Sequence, residues 1–382
     1  MLGPEGSASG TSSLNEVPSS HHYRALDGVR GLAILLVFAF HSARPDATRS
    51  VVLRAIDQIF GQGWIGVDIF FVLSGFLITG ILYDTRNEVL YFKRFYVRRA
   101  LRIFPIFYAL CLAVLLLAPF LQIHWRWGYL AFLLYAANIL LASTRSYDRI
   151  GPFVTTHMWS LAVEEQFYLL WPATIRILKT RVRMLRVTLA LMALAVLLRF
   201  VQLCLGVSWH SIYRELPTRM DSLAAGATLA LLLRGPRKHV WIAVTRYCLV
   251  PLWLAILAIG CFLPDFQDFN APIIIWGPTL LALASVTLIG EAVRSGSMAG
   301  QILSNSVLRF LGRISYGLYL YQGCVRGWMR PLRLFFDERL HSYARAGVCA
   351  LAVMFCATVA FSYLSYRFFE MPFLRLKNKL AP

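Results

Sequence analysis

A chain of 382 residues that is 58% hydrophobic and only 15% charged, with mean hydropathy +0.61, is not an ordinary soluble domain, in which about a quarter of residues carry charge. Its 38 Lys and Arg against 19 Asp and Glu give +19, but the basic residues sit between apolar runs, the positive-inside pattern of a polytopic membrane protein rather than a nucleic-acid surface. The seven cysteines lie in or beside apolar segments and form no C-x-x-C pair, so neither a disulfide framework nor a metal site is expected.

Residues 1–22 are rich in Gly, Ser, Pro and Thr and lack an apolar core. They read as a disordered tail, not as a cleavable signal peptide. Eleven apolar runs follow, at 27–43, 64–83, 102–121, 127–142, 159–178, 186–206, 218–233, 240–262, 272–290, 308–324 and 343–366. Basic residues over 84–102 and 176–186 orient those loops, and with them the N-terminus, toward the cytoplasm. The 127–142 run is short, opens Trp-Gly-Tyr and contains Asn138, so it reads as re-entrant or interfacial. Ten crossings remain, both termini are cytoplasmic, and the fold is all-α. The membrane domain spans 23–373, with a basic tail over 374–382. An arginine-bearing loop near 325–342 falls on the outer side, against the charge rule. No internal repeat of the transporter kind is visible.

The first run, DGVRGLAILLVFAFHSA, holds Arg30 and His41 with only apolar residues between them. Eleven helical steps of about 100° return both side chains to one face and climb only about 16 Å. The hydrocarbon core is about 30 Å thick, so at least one of the pair lies within the membrane or in a wet cavity, where ionisable groups mark function. Asp27 suits an N-cap for this helix. Taken singly, Arg30 reads as a snorkelling anchor and His41 as an interfacial helix end.

In the second run Asp68 sits about a turn below the interface and needs a partner. Ser74 and Gly75 are small enough for a neighbouring helix or a ligand to come close. The stretch YFKRFYVRRALRIFPIFY mixes aromatics and arginines at helical spacing, with Arg99 and Arg102 on one face. Such forks suit phosphate oxygens, though headgroup contact explains them equally well. In THMWSLAVEEQFYLLWP, His157 marks the outer edge and Trp159 anchors the interface. Ser160, Glu164 and Tyr168 stack on one face while Glu165 points about 100° away. Two adjacent glutamates in an apolar span have no inexpensive structural role.

With those pieces assembled, the chain resembles the acyltransferase-3 family of bacterial membrane O-acyltransferases, from about Tyr23 to Pro372. The resemblance rests on RALDGVRGLAILLVFAFH, GVDIFFVLSGFLIT, RRALRIFP, HMWSLAVEEQFYLLWP and LGRISYGLYLYQ, in the family's order. It implies a ten-helix fold in the bacterial inner membrane and acyl-CoA, usually acetyl-CoA, as cytoplasmic co-substrate. It also implies a glycan or glycosylated small molecule as acceptor. Arg30 and His41 match its Arg-x10-His motif, Arg99 and Arg102 its Arg-x-x-Arg pair, and Glu164 the glutamate after Trp-Ser-Leu. The chain is similar to the stand-alone members without a fused esterase-like domain.

The expected chemistry follows. Arg30, Arg99 and Arg102 receive the donor, and His41 acts as general base on the acceptor hydroxyl or as acyl carrier. Glu164 orients His41 or the acceptor; Asp27, Asp68, Ser74, Trp159, Ser160, Glu165 and Tyr168 support the site. The competing reading is a transporter or flippase of a lipid-linked glycan, with the buried His, Glu and Asp as a proton path.

Overall fold

The computed structural model describes residues 24–42, 60–143, 149–150, 153–262 and 270–380; the tail expected over 1–22 lies outside them. Apart from one antiparallel pairing of Arg149–Ile150 with Phe153–Val154, the described residues build an all-helical fold. Helix α1 spans Arg24–Ser42, a 3-10 turn over Gln62–Trp64 leads into α2 (Ile65–Thr85), and α3 covers Tyr91–Leu117. After a broken stretch come α4 (Ala137–Ser143), α5 (Met158–Leu178), α6 (Arg181–Cys204), the short α7 (Trp209–Arg214) and α8 (Leu216–Leu232). The second half holds α9 (Lys238–Phe262), α10 (Ala271–Val293), α11 (Met298–Leu303), α12 (Ser306–Arg313), α13 (Ser315–Arg326), α14 (Met329–Leu340) and α15 (Tyr343–Leu364). A π-helical turn over Ser365–Glu370 carries α15 on into α16 (Met371–Leu380).

Among the described residues six helical stretches are long and apolar enough to cross a membrane: 62–85, 91–117, 181–204, 238–260, 271–293 and 345–377. The protein is therefore a multi-pass membrane protein. Helices α1, α5 and α8 are long but carry polar residues and pack among the others. Helix α8 is buried along nearly its whole length, from Thr218 to Leu231. That burial rests on close approach to α2: a Cβ on Gly75 would lie 1.9 Å from the Leu223 carbonyl oxygen, and one on Gly226 would lie 1.9 Å from that of Val72. Small residues permit backbones this near, which is how helices gain contact where lipid offers no hydrophobic drive.

Four expectations are corrected. Asp27 is not an N-cap; α1 is already helical from Arg24, because Ala25 and Leu26 are buried against the core and carry the helix upstream. The run at 308–324 is two helices, α12 and α13, which meet at Ile314. The arginine-bearing segment 325–342 is not a loop but contains helix α14; its charges had masked its helical spacing. The third helix starts eleven residues before 102, at Tyr91, so the arginine-aromatic stretch and the apolar run form one rod with Pro105 inside it. The 127–142 stretch, expected as re-entrant or interfacial, is broken into a 3-10 turn, one helical turn over Leu130–Leu133 and α4.

Candidate active site

Helices α1, α2, α3, α5 and α13 border a cavity, open on one side, whose polar lining is Arg30, Ser74, Arg99, Arg102, Ser160, Glu164, Tyr168, Ser315, Tyr316 and Tyr319. Local geometry explains how α5 serves it: Ser160, Glu164 and Tyr168 recur every fourth residue and so share a face. On α2, Ser74 turns into the cavity while its neighbour Gly75 meets α8. The two readings of that small pair, ligand and helix packing, are thus divided between adjacent positions.

Ser74 is the hub. Its hydroxyl donates to Glu164 Oε1 at 2.6 Å and accepts from the Tyr168 hydroxyl at 2.9 Å. Tyr168 is buried, and the Arg99 guanidinium lies 4.0 Å over its ring, a cation–π contact that fixes the arginine without using its N–H donors. Arg30 Nη1 donates to Asp27 Oδ1 at 2.8 Å. Among the described residues neither Arg99 nor Arg102 has an ion pair, Arg99 Nε is buried without a hydrogen-bond partner, and Arg102 is exposed. Guanidiniums held in place with open N–H forks are suited to planar or tetrahedral oxyanions.

His41 stands apart from this cavity, at the other end of α1. Its Nδ1 lies 2.9 Å from the Val37 carbonyl oxygen. A carbonyl only accepts, so Nδ1 carries the hydrogen and Nε2 is left to act as base. Its ring is 6.0 Å from that of His157, and His157 is 5.3 Å from Tyr319. Tyr319 donates to the His157 carbonyl oxygen at 2.6 Å and also contacts the Ser160 hydroxyl. Tyr319 and Ser160 line the cavity, so buried His157 joins it to His41. Glu164 meets the arginine side of the site, and no hydrogen bond links it to His41.

Besides His41, four expected residues, Asp27, Asp68, Trp159 and Glu165, do not line the cavity. Glu165, one position past Glu164 on α5, has a buried Oε1 with no hydrogen-bond partner among the described residues. Asp68 has the partner it needed: Arg219 Nη2 at 2.6 Å, with the Ser222 hydroxyl at 3.0 Å. Trp159 packs 5.9 Å from Phe71 and 5.0 Å from Tyr213.

Sequence reading did not single out Tyr319, Arg199, Arg219 or Asp221. The last three sit inside or beside apolar runs, and that alone was a usable signal. Tyr319 lies within the motif LGRISYGLYLYQ, whose residues were not weighed one by one.

Comparison with known proteins gives the chain relatives. Residues 23–367 match the acyltransferase domain family. The chain is similar to the peptidoglycan O-acetyltransferase OatA of Listeria monocytogenes, at 29% identity over 371 residues, which cover 93% of this chain and 56% of that protein. It is similar to YrhL of Bacillus subtilis, provisionally named a peptidoglycan O-acetyltransferase, at 29% over 375 residues, 92% of this chain and 55% of that protein. A Staphylococcus aureus protein provisionally named an O-acetyltransferase is 28% identical over 367 residues, 91% of this chain and 56% of its own length. The chain thus spans about half the length of these relatives. No solved structure matches it.

Proposed function

We propose that this chain, which belongs to the acyltransferase family matched over residues 23–367, moves an acetyl group from cytoplasmic acetyl-CoA to a hydroxyl of a glycan on the far side of the bacterial inner membrane. The names of its relatives support the acetyl group and the glycan. The observation that carries the reading is the cavity itself. Arg99 and Arg102 line it with guanidiniums that have no ion pair among the described residues, and ring contacts run from the cavity-lining Tyr319 through His157 to His41 outside it.

In this reading the donor's phosphates dock on Arg99 and Arg102 and its pantetheine arm runs past Arg30. The climb of about 16 Å from Arg30 to His41 is a distance such an arm spans. His41 Nε2 takes the proton of the acceptor hydroxyl; the oxygen attacks the thioester carbonyl, the C–S bond breaks, and CoA leaves as thiolate. The same nitrogen is placed to hold the acyl group briefly if transfer runs in two steps. Ser74 and Tyr168 fix the Glu164 carboxyl beside Arg30 and Arg99. Glu164 thereby positions the donor end of the site rather than the imidazole.

The test is transfer of labelled acetyl from acetyl-CoA to glycan by the full chain in membranes. The reading expects transfer, and a loss of at least about a hundredfold in His41→Ala, the scale of general base catalysis. Wild-type activity in His41→Ala removes that role. Movement of glycan across the bilayer without thioester turnover overturns the reading in favour of a flippase.

A further inference from the structure

We propose that the acceptor glycan is carried on a lipid, and that an apolar groove beside His157 seats its hydrocarbon chain. This inference rests on the acyltransferase reading above and deepens it by naming the class of acceptor. The groove lies between the later part of α3, the 123–133 stretch, the residues leading into α5, and α13. It offers about 440 Å³ of space, within the range of small-ligand sites.

Its place assigns it to the acceptor rather than the donor. On α3 its wall runs from Tyr108 to Ala118, ten helical steps or about 15 Å, and it begins beyond Arg99 and Arg102 on the same helix. The groove therefore lies away from the arginine pair. Leu112 and Leu115 in that wall are exposed, on a helix long and apolar enough to cross a membrane, so a chain enters from within the bilayer. The acetyl group of the donor has only two carbons and would leave such a space empty. The groove nevertheless adjoins the site: Tyr319 lines the donor cavity, and the next residue, Leu320, lines the groove.

Its chemistry selects a lipid with a sugar head. None of the residues described along its lining is charged, and the Tyr108 hydroxyl already donates to the Leu133 carbonyl at 3.0 Å. Lipid tails are as apolar as leucine, so an apolar wall alone does not tell one chain from another. The distinction comes from His157, which lines the same groove, is 4% exposed, and has a buried Nε2 with no hydrogen-bond partner among the described residues. A buried nitrogen left unmet is costly. Sugar hydroxyls both donate and accept, so they satisfy it in either tautomer, whereas the ester oxygens of an ordinary phospholipid only accept. The His157 ring is 6.0 Å from that of His41. A chain lying in the groove with its head at His157 thus brings a sugar hydroxyl to the base.

The experiment uses the purified full chain in phosphatidylcholine nanodiscs. The photoprobe is a decyl N-acetylglucosaminide with a diazirine midway along its chain, and a phosphatidylcholine with the same diazirine in one tail is the comparison. Cross-linked peptides are read by mass spectrometry, and acetyl transfer from labelled acetyl-CoA by the KM of each substrate. The glycolipid is expected to label 108–118 at about ten times the yield of the phospholipid, and unlabelled decyl glycoside, not the methyl glycoside, displaces it. His157→Leu is expected to bring the two yields together, and His157→Gln, which keeps a donor and an acceptor, to preserve their difference. Leu115 is on the exposed wall, so Leu115→Trp narrows the groove and spares the core. It should raise the KM for the decyl acceptor about tenfold without moving that for acetyl-CoA. Equal labelling by both probes, or labelling that decyl glycoside does not displace, overturns the site and leaves bulk lipid in the groove. Displacement by octanoyl-CoA with transfer of its acyl group overturns it in favour of a donor chain. Selective labelling of a wild type that never turns over acetyl-CoA sustains the site and removes the acyltransferase reading, so the two failures are distinct.

Discussion

Arginines within or beside the helix bundle occur in two regions of this protein, and they are treated in opposite ways. Arg199 on α6 gives Nε to the Ile275 carbonyl at 2.9 Å, Nη1 to the Thr218 carbonyl at 2.5 Å and Nη2 to Thr279 at 2.7 Å, and it pairs with Asp221 at 2.8 Å. Thr279 closes the ring by donating to Asp221 at 2.6 Å. Across the bundle, beside a cavity, Arg99 is held by a tyrosine face and Arg102 makes no hydrogen bond or ion pair among the described residues. A charge inside a membrane protein is tolerated where its donors are met. A saturated guanidinium therefore ties helices together, and an unsaturated one at a cavity waits for a ligand. Arg219 lies between these extremes, with one fork bonded and one open.

The comparison is easiest to break where saturation is greatest. Asp221→Ala leaves the Arg199 charge without its carboxylate in the core, and removing one partner of a buried pair costs about 3–5 kcal/mol. The expected outcome is a large fall in melting temperature in detergent, with poor recovery of folded protein. A melting curve matching wild type would mean that the Arg199 ring does not hold α6, α8 and α10.

Ser74→Ala tests the hub of the opposite region. It removes the hydroxyl that bonds both Glu164 and Tyr168 and leaves a buried carboxyl less satisfied, an effect of about 1–3 kcal/mol. Acetyl transfer should fall about tenfold or more while the melting temperature falls by only a few degrees, well short of Asp221→Ala. An equal loss of stability and no loss of activity would make this cluster another structural tie. The smallest effect belongs to a third kind of pair. Arg234 and Asp84 form a two-pronged contact at 2.7 and 2.6 Å, but both are solvent-accessible, and such pairs contribute about 0–1 kcal/mol. Arg234→Ala should leave melting and transfer close to wild type in physiological salt.

The sequence made the polar lining legible because intramembrane polar residues are few. Arg30, Ser74, Arg99, Arg102, Ser160, Glu164 and Tyr168 were identifiable one helix at a time, and they converge on one cavity. Helical periodicity placed Ser160, Glu164 and Tyr168 on one face without any tertiary information. What periodicity could not supply was pairing across the bundle. Asp68 meets Arg219 from 151 residues away, and His41 meets His157 rather than Glu164. Boundaries also escaped where packing overrode local signals, as at Asp27, where buried Ala25 and Leu26 extend α1. At Ile314 a break divides an apolar run that reads as one helix.

The central claim is that Arg99 and Arg102, which have no ion pair among the described residues, serve an anionic donor. The direct measurement is calorimetric titration of the full chain in nanodiscs with CoA, for wild type and for Arg99→Ala combined with Arg102→Ala, at low and at high salt. Charged pairs weaken as salt screens them, so the account predicts salt-sensitive binding by wild type. It also predicts a loss of about tenfold or more in the double variant, which melts no lower than wild type. CoA bound equally well by both proteins would contradict it and return the two arginines to the lipid headgroups.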